Sequence, residues 1–189
     1  MKQRDIRRSA LCALAFLASF AGASDAHAQQ AGIMLGAMAP DAAVETLDGR
    51  AIRLSEIIGG RPAVLEFWAT WCPLCKALEP AMEAARARHS DVVFVSVGVP
   101  QNQTPAVQLA YAEEHALGGH FVFDRNEEAI KAFAVPHTSY VVVLDATGKV
   151  VYTGVGEHQD IEEAIGNLGM GMMDDRMMDD DPRRMDTPN

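Results

Sequence analysis

Along residues 36–168, apolar and polar positions alternate in short blocks that switch between the period of strands and the period of helices. Residues 44–47 (Val44, Glu45, Thr46, Leu47) and 51–54 (Ala51, Ile52, Arg53, Leu54) flank Asp48-Gly49. That pair accepts the positive φ angles of a tight turn, so the segment predicts a β-hairpin. The apolar run 63–68 predicts a buried strand. Leu74, Leu78, Met82 and Ala85 then fall at near-helical spacing and predict a helix over residues 73–89. Residues 92–97 read as the next strand. Thr104 before Pro105 reads as an N-cap and a first-turn proline, with Gly118-Gly119 closing that helix. A short strand at 121–123, a short helix at 126–133, strands at 140–144 and 150–153 around a turn at 145–148, and a last helix at 159–168 complete the pattern. Strands and helices in alternation imply one α/β domain over residues 36–168.

The two ends break this pattern. Lys2, Arg4, Arg7 and Arg8 precede an apolar run at 9–23, and Ala26-His27-Ala28 places small residues where a signal peptidase inspects the chain. Residues 1–28 therefore read as a signal peptide, and the product is expected to be periplasmic or secreted. Anchoring in a membrane is not expected, because the apolar run falls short of a span. At the other end, six methionines lie between Met170 and Met185, and six aspartates fall in the last twenty residues. Without core periodicity, and with that much charge, residues 169–189 read as a disordered Met/Asp-rich tail. Thioether sulfur is also a soft ligand suited to Cu(I), which leaves a metal role open beside a solubilising one.

Composition narrows the class. The 189 residues are 49% hydrophobic and 22% charged, ordinary for a globular domain. The net charge of −10 argues against nucleic acid as a partner, since phosphate neutralisation needs a basic face. Three cysteines are too few for a disulfide-stapled miniprotein or a four-cysteine zinc site. Cys12 would leave with the signal peptide, so Cys72 and Cys75 remain in an oxidising compartment.

These two lie where the buried strand turns into a helix, in Trp71-Cys72-Pro73-Leu74-Cys75-Lys76. Two intervening residues let the sulfurs meet across the first helical turn. Cys72, at the exposed helix start, faces unpaired N–H groups and the positive dipole end, which favours its thiolate. Pro73 fits the first helical position, where no N–H is needed. Cys72 then attacks a partner disulfide and Cys75 resolves the mixed disulfide. A structural disulfide or half a zinc site is the bland alternative, and neither needs the strand-to-helix placement.

The stretch Phe67-Trp68-Ala69-Thr70-Trp71-Cys72-Pro73-Leu74-Cys75-Lys76 resembles the active-site stretch of thioredoxin-fold proteins. Ala39-Pro40-Asp41, Leu47-Asp48-Gly49-Arg50 and Leu54-Ser55-Glu56 are similar to the N-terminal extension of the exported TlpA/ResA-like branch. The resemblance implies a thioredoxin-like fold: a central mixed sheet flanked by helices, with an N-terminal β-hairpin. It implies a thiol–disulfide oxidoreductase with a redox-active Cys72–Cys75 disulfide and no bound cofactor. Its partners would be exported substrate proteins with disulfides and a membrane electron donor. Pro80 matches the proline inside the active-site helix. Glu66 stands where thioredoxin keeps a buried acid, either as a proton relay for Cys75 or as a half-exposed strand residue paired with a base. Val135-Pro136 resembles the cis-proline loop, which with Trp71 would form the substrate edge.

The twelve-residue separation of Pro136 and Gly148 departs from that branch. The segment from His137 to Gly148 instead resembles the Sco copper proteins, where a histidine joins two cysteines at copper. Two readings therefore stand: an exported oxidoreductase working as a reductant, and a periplasmic copper chaperone holding Cu(I) through Cys72, Cys75 and His137. The remaining histidines of the domain (His89, His115, His120 and His158) show no ligand spacing and read as surface residues.

Overall fold

A computed structural model describes residues 32–166 and 168, so the signal segment and the Met/Asp-rich tail lie outside the described residues. β1 (Ala43–Thr46) and β2 (Ala51–Arg53) form the expected hairpin, with Val44 opposite Ile52. The chain then makes a helix that the periodicity does not announce, α1 (Leu54–Ile58). Five residues are too few to show a period; local bonds define the helix instead. Glu56 accepts the Arg53 N–H at 3.0 Å, Asp41 accepts the Ser55 N–H at 3.0 Å, and Gly59 ends it at φ 61°.

The rest follows the predicted alternation: β3 (Ala63–Trp68), α2 (Pro73–Arg88), β4 (Val93–Gly98), α3 (Pro105–Glu114), β5 (His120–Phe123), α4 (Glu128–Ala132), β6 (Tyr140–Leu144), β7 (Val150–Val155) and α5 (Ile161–Gly166). Thr104 caps α3 as expected, its Oγ1 accepting the Val107 N–H. That helix ends earlier than the Gly118-Gly119 pair implied. Ala116, at φ 51°, reverses the chain, and the glycines lead into β5.

All seven strands form one mixed sheet in the order β2-β1-β5-β4-β3-β6-β7. β3 lies inside it, parallel to β4 and antiparallel to β6. Being covered on both faces, it is apolar nearly throughout. Ala63, Leu65 and Phe67 point into a core shared with Leu54 of α1, Ala129 of α4 and Phe133 beside it. Val64 points the other way, onto Leu78, Met82 and Ala85 of α2 and Ile161, Ala164 and Ile165 of α5. Glu66 and Trp68 follow Val64 at the strand period and share that face. The end of β3 therefore delivers the chain to the start of α2 with an acid already beneath the helix.

Candidate active site

Cys72 is the N-cap of α2 and Pro73 its first residue. The Cys72 Sγ accepts the Cys75 N–H at 3.1 Å, and the two sulfurs form a disulfide with Cα atoms 5.3 Å apart. An N-cap normally offers a hydroxyl or carboxylate oxygen to the free N–H groups of the first turn; here a sulfur takes that place. The expected exposure of Cys72 does not hold. Cys72 is 2% exposed and Cys75 1%, because both pack into a cluster with Trp68, Ala69 and Val99. What separates the two cysteines is position on the helix, not solvent access. The exposed apolar surface comes from their neighbours, Trp71 at 46% and Leu74 at 40%.

A second loop, residues 99–103, holds this turn in place. Val99 donates to the Trp68 carbonyl at 3.0 Å. The buried Gln103 accepts the Thr70 N–H at 3.0 Å and donates to the Val99 carbonyl at 2.6 Å. The Trp71 indole N–H donates to the Gln101 carbonyl at 2.7 Å, and the Gln101 side chain donates to Glu127 at 2.8 Å. Sequence reasoning missed Gln101 and Gln103. A glutamine in a polar loop carries no linear signal of burial.

The loop before β6 differs from the expected one. There is no cis peptide bond among the described residues, so Val135–Pro136 is trans. Two residues in the left-handed region, Ala134 (φ 49°) and Ser139 (φ 64°), shape the loop instead. Ser139 N–H donates to the Phe67 carbonyl at 2.8 Å and its hydroxyl to the Gly156 carbonyl at 3.0 Å, fixing the loop to β3. Val135 packs against the core on the α4 side, Pro136 is half-buried and His137 is exposed. Among the described residues no group of three or more His, Cys, Asp or Glu side chains comes together as a metal-binding cluster. Cys72 and Cys75 are joined in the disulfide, so neither offers a thiolate to a metal beside His137 in this form.

Glu66 is buried, at 6% exposure, and its Oε1 has no hydrogen-bond partner. The half-exposed, base-paired alternative is excluded. Burial first, and then the charge of Glu79, push its pKa up from the ordinary 4.5 to about 8. The carboxyl is therefore mostly protonated at neutral pH.

The Redoxin family model matches residues 34–167. The thiol-disulfide oxidoreductase ResA of Geobacillus thermodenitrificans is 27% identical over 146 residues, covering 74% of this chain and 81% of the relative. ResA of Halalkalibacterium halodurans is 24% identical over 160 residues, covering 84% and 90%. Among solved structures, a putative thiol:disulfide interchange protein DsbE from Chlorobium tepidum superposes with a TM-score of 0.63 at 23% identity, over 74% of this chain and 97% of the other. That likeness extends to the thioredoxin-like fold described above. With a Cys-x-x-Cys disulfide at the head of α2, the chain belongs to the Redoxin family and is a thioredoxin-like thiol–disulfide oxidoreductase.

Proposed function

We propose that the protein is exported and reduces disulfides in other exported proteins, receiving electrons from a membrane donor. The observation that carries the chemistry is the Cys72 sulfur at the N-cap of α2, accepting the Cys75 N–H. In the reduced protein the same N–H groups and the helix dipole favour the Cys72 thiolate. That thiolate attacks one sulfur of the substrate disulfide, and the other leaves as a thiolate. Glu66, once ionised, takes the proton of Cys75. The Cys75 thiolate then attacks Cys72, the protein disulfide closes, and the second substrate sulfur leaves. When a donor thiolate reopens the disulfide at Cys72, Cys75 is the leaving sulfur and the neutral Glu66 carboxyl protonates it. Trp71 and Leu74 offer an apolar rim to the incoming polypeptide, and the loop at Val135-Pro136 a backbone edge.

One feature supports the reducing direction. Pro73-Leu74 adds neither charge nor imidazole to hold the thiolate, which disfavours the reduced state. The reduction potential is expected nearer that of thioredoxin, about −270 mV, than that of DsbA, about −120 mV. Equilibration with glutathione buffers measures it, and a DsbA-like value would reverse the direction. A Cys75→Ala variant is expected to accumulate mixed disulfides through Cys72, whereas Cys72→Ala is not. Capture of the same partners through Cys75 alone would exchange the two roles.

Export rests on the charge, apolar run and small-residue pattern of residues 1–28. Mass spectrometry of the exported product is expected to begin at Gln29. A membrane-bound product retaining Met1 would identify an anchor instead.

A further inference from the structure

Beneath α2, on the face of β3 that carries Glu66, lies a cavity of about 30 Å³, room for about one water. Its walls include Glu66, Ser96 and Phe121 from the sheet, Glu79 and Arg86 from α2, and Gly118 from the turn before β5. Glu66 lines this cavity, and its buried Oε1 is satisfied by no protein group. Glu79 is half-buried, so it belongs both to the cavity and to the surface.

The acids on α2 are held differently. Glu83 is neutralised by Arg86, with Nη2 at 2.5 Å and Nε at 3.1 Å, and it also accepts the Gly118 N–H at 3.1 Å. Glu79 accepts only a neutral hydrogen bond among the described residues, from the Tyr111 hydroxyl at 2.7 Å. Lys76 does not pair with it; its ammonium lies over the Tyr111 ring, 5.4 Å from the centroid. His115 stacks on the same ring at 3.9 Å. Glu79 is thus a carboxylate next to the buried carboxyl, uncommitted to a cation and in touch with solvent.

We propose that Glu79 is the outer station of a two-carboxyl proton path, passing to and from solvent the proton that Glu66 exchanges with Cys75. This rests on the relay role proposed for Glu66. In the reduced protein the resting, neutral Glu66 first loses its proton across the cavity, through a water to the Glu79 carboxylate and on to solvent; so ionised, it takes the proton of Cys75 and keeps it once the protein disulfide has closed. The released substrate thiolates take their own protons from the medium. On reduction the neutral Glu66 gives its proton to Cys75, and the path runs backward to return one from solvent to Glu66. Two electrons pass between dithiol and disulfide, and none reside on the carboxyls.

The groups that bear on Glu66 are few. α2 contributes Glu79, Glu83 and Arg86. α3 contributes Tyr111, with Glu114 farther out. β4, β5 and β6 contribute the uncharged Ser96, Phe121 and Val141, and α5 packs with apolar Ile161, Ala164 and Ile165. Of the carboxylates, Glu79 is the one whose charge also raises the Glu66 pKa.

The test is stopped-flow reduction by dithiothreitol across pH 5–10 on wild type, Glu79→Gln, Glu79→Asp, Glu66→Gln and the Glu66→Gln/Glu79→Gln double variant. Glu79→Gln is expected to lower the titration midpoint assigned to Glu66 by roughly one pH unit, since a like charge is removed. It is also expected to slow reduction roughly tenfold at pH 7. Added formate, a small proton carrier, restores the rate, which a purely structural defect would not allow. Glu79→Asp keeps the carboxylate and most of the rate. In the Glu66→Gln background, Glu79→Gln changes neither rate nor profile. An equal effect of Glu79→Gln in that background would overturn the path while leaving Glu66 its role, because Glu79 would be acting on the thiols directly. A wild-type profile for Glu66→Gln would overturn the relay itself. A lowered Tm for Glu79→Gln with an unchanged pH profile would make Glu79 structural and end the proposal.

Discussion

Glu66 places a titratable group inside the sheet, and its cost depends on pH. In the folded protein it titrates near 8, against 4.5 for an ordinary glutamate. Between those values the folded state binds the proton and the unfolded chain does not, so stability falls as pH rises from about 4.5 to about 8. Above that window both states are ionised and the fall stops. Glu66→Gln, which keeps the shape and removes the charge, is expected to abolish a loss of about a few kcal/mol over this range. Urea unfolding at pH 5 and pH 8.5 measures it, and equal losses in wild type and variant would assign the slope to other groups. At this scale the sequence is legible in part. Cys72 and Cys75 stand out because their spacing carries chemistry, and Glu66 through the resemblance to thioredoxin. Gln103, Gln101, Glu79 and Tyr111 do not, because their importance arises from partners more than 25 positions away in the chain.

At the scale of elements, most strands and α2 could be read from periodicity and α3 from its cap and first-turn proline, and the failures have local causes. α1 is defined by backbone N–H groups donating to Asp41 and Glu56, not by an apolar stripe. The loop before β6 reads as a cis-proline turn from its Val135-Pro136 pair, but left-handed backbone at Ala134 and Ser139 does the turning. Packing between α3 and the sheet likewise depends on one residue that pattern alone does not distinguish. Gly98 of β4 lies directly under Gln108 of α3, a fully buried side chain, and a Cβ there would fall on the Gln108 amide. Gly98→Ala is therefore expected to cost about 1–3 kcal/mol in chemical denaturation. Gly98→Ala/Gln108→Ala is expected to recover part of it, since shortening Gln108 vacates the space. No recovery would mean that the strain lies in the strand backbone.

At the scale of the molecule, the sheet order puts β3 between β4 and β6, so the environment of the sulfurs is assembled from distant parts of the chain. The sulfurs themselves are only three positions apart. The pair can therefore close in an unfolded chain, whereas the packing by Trp68 and Val99 and the clamp by Gln103 exist only in the native state. Folding and the disulfide equilibrium then form two sides of one thermodynamic square. Whatever the native surroundings do to the reduction potential, relative to the same two cysteines in a denatured chain, must reappear as a difference in unfolding free energy between the oxidised and reduced proteins. For a two-electron couple, about 30 mV corresponds to about 1.4 kcal/mol. A reductant is expected to be the more resistant to denaturant when oxidised, with the gap in unfolding free energy matching the offset in potential. Denaturation of the two forms side by side thus reads the direction of electron flow without any substrate, and greater stability of the reduced form would point the other way. The burial of a pair so close in sequence makes the fold itself the regulator of how willingly these two sulfurs part with electrons.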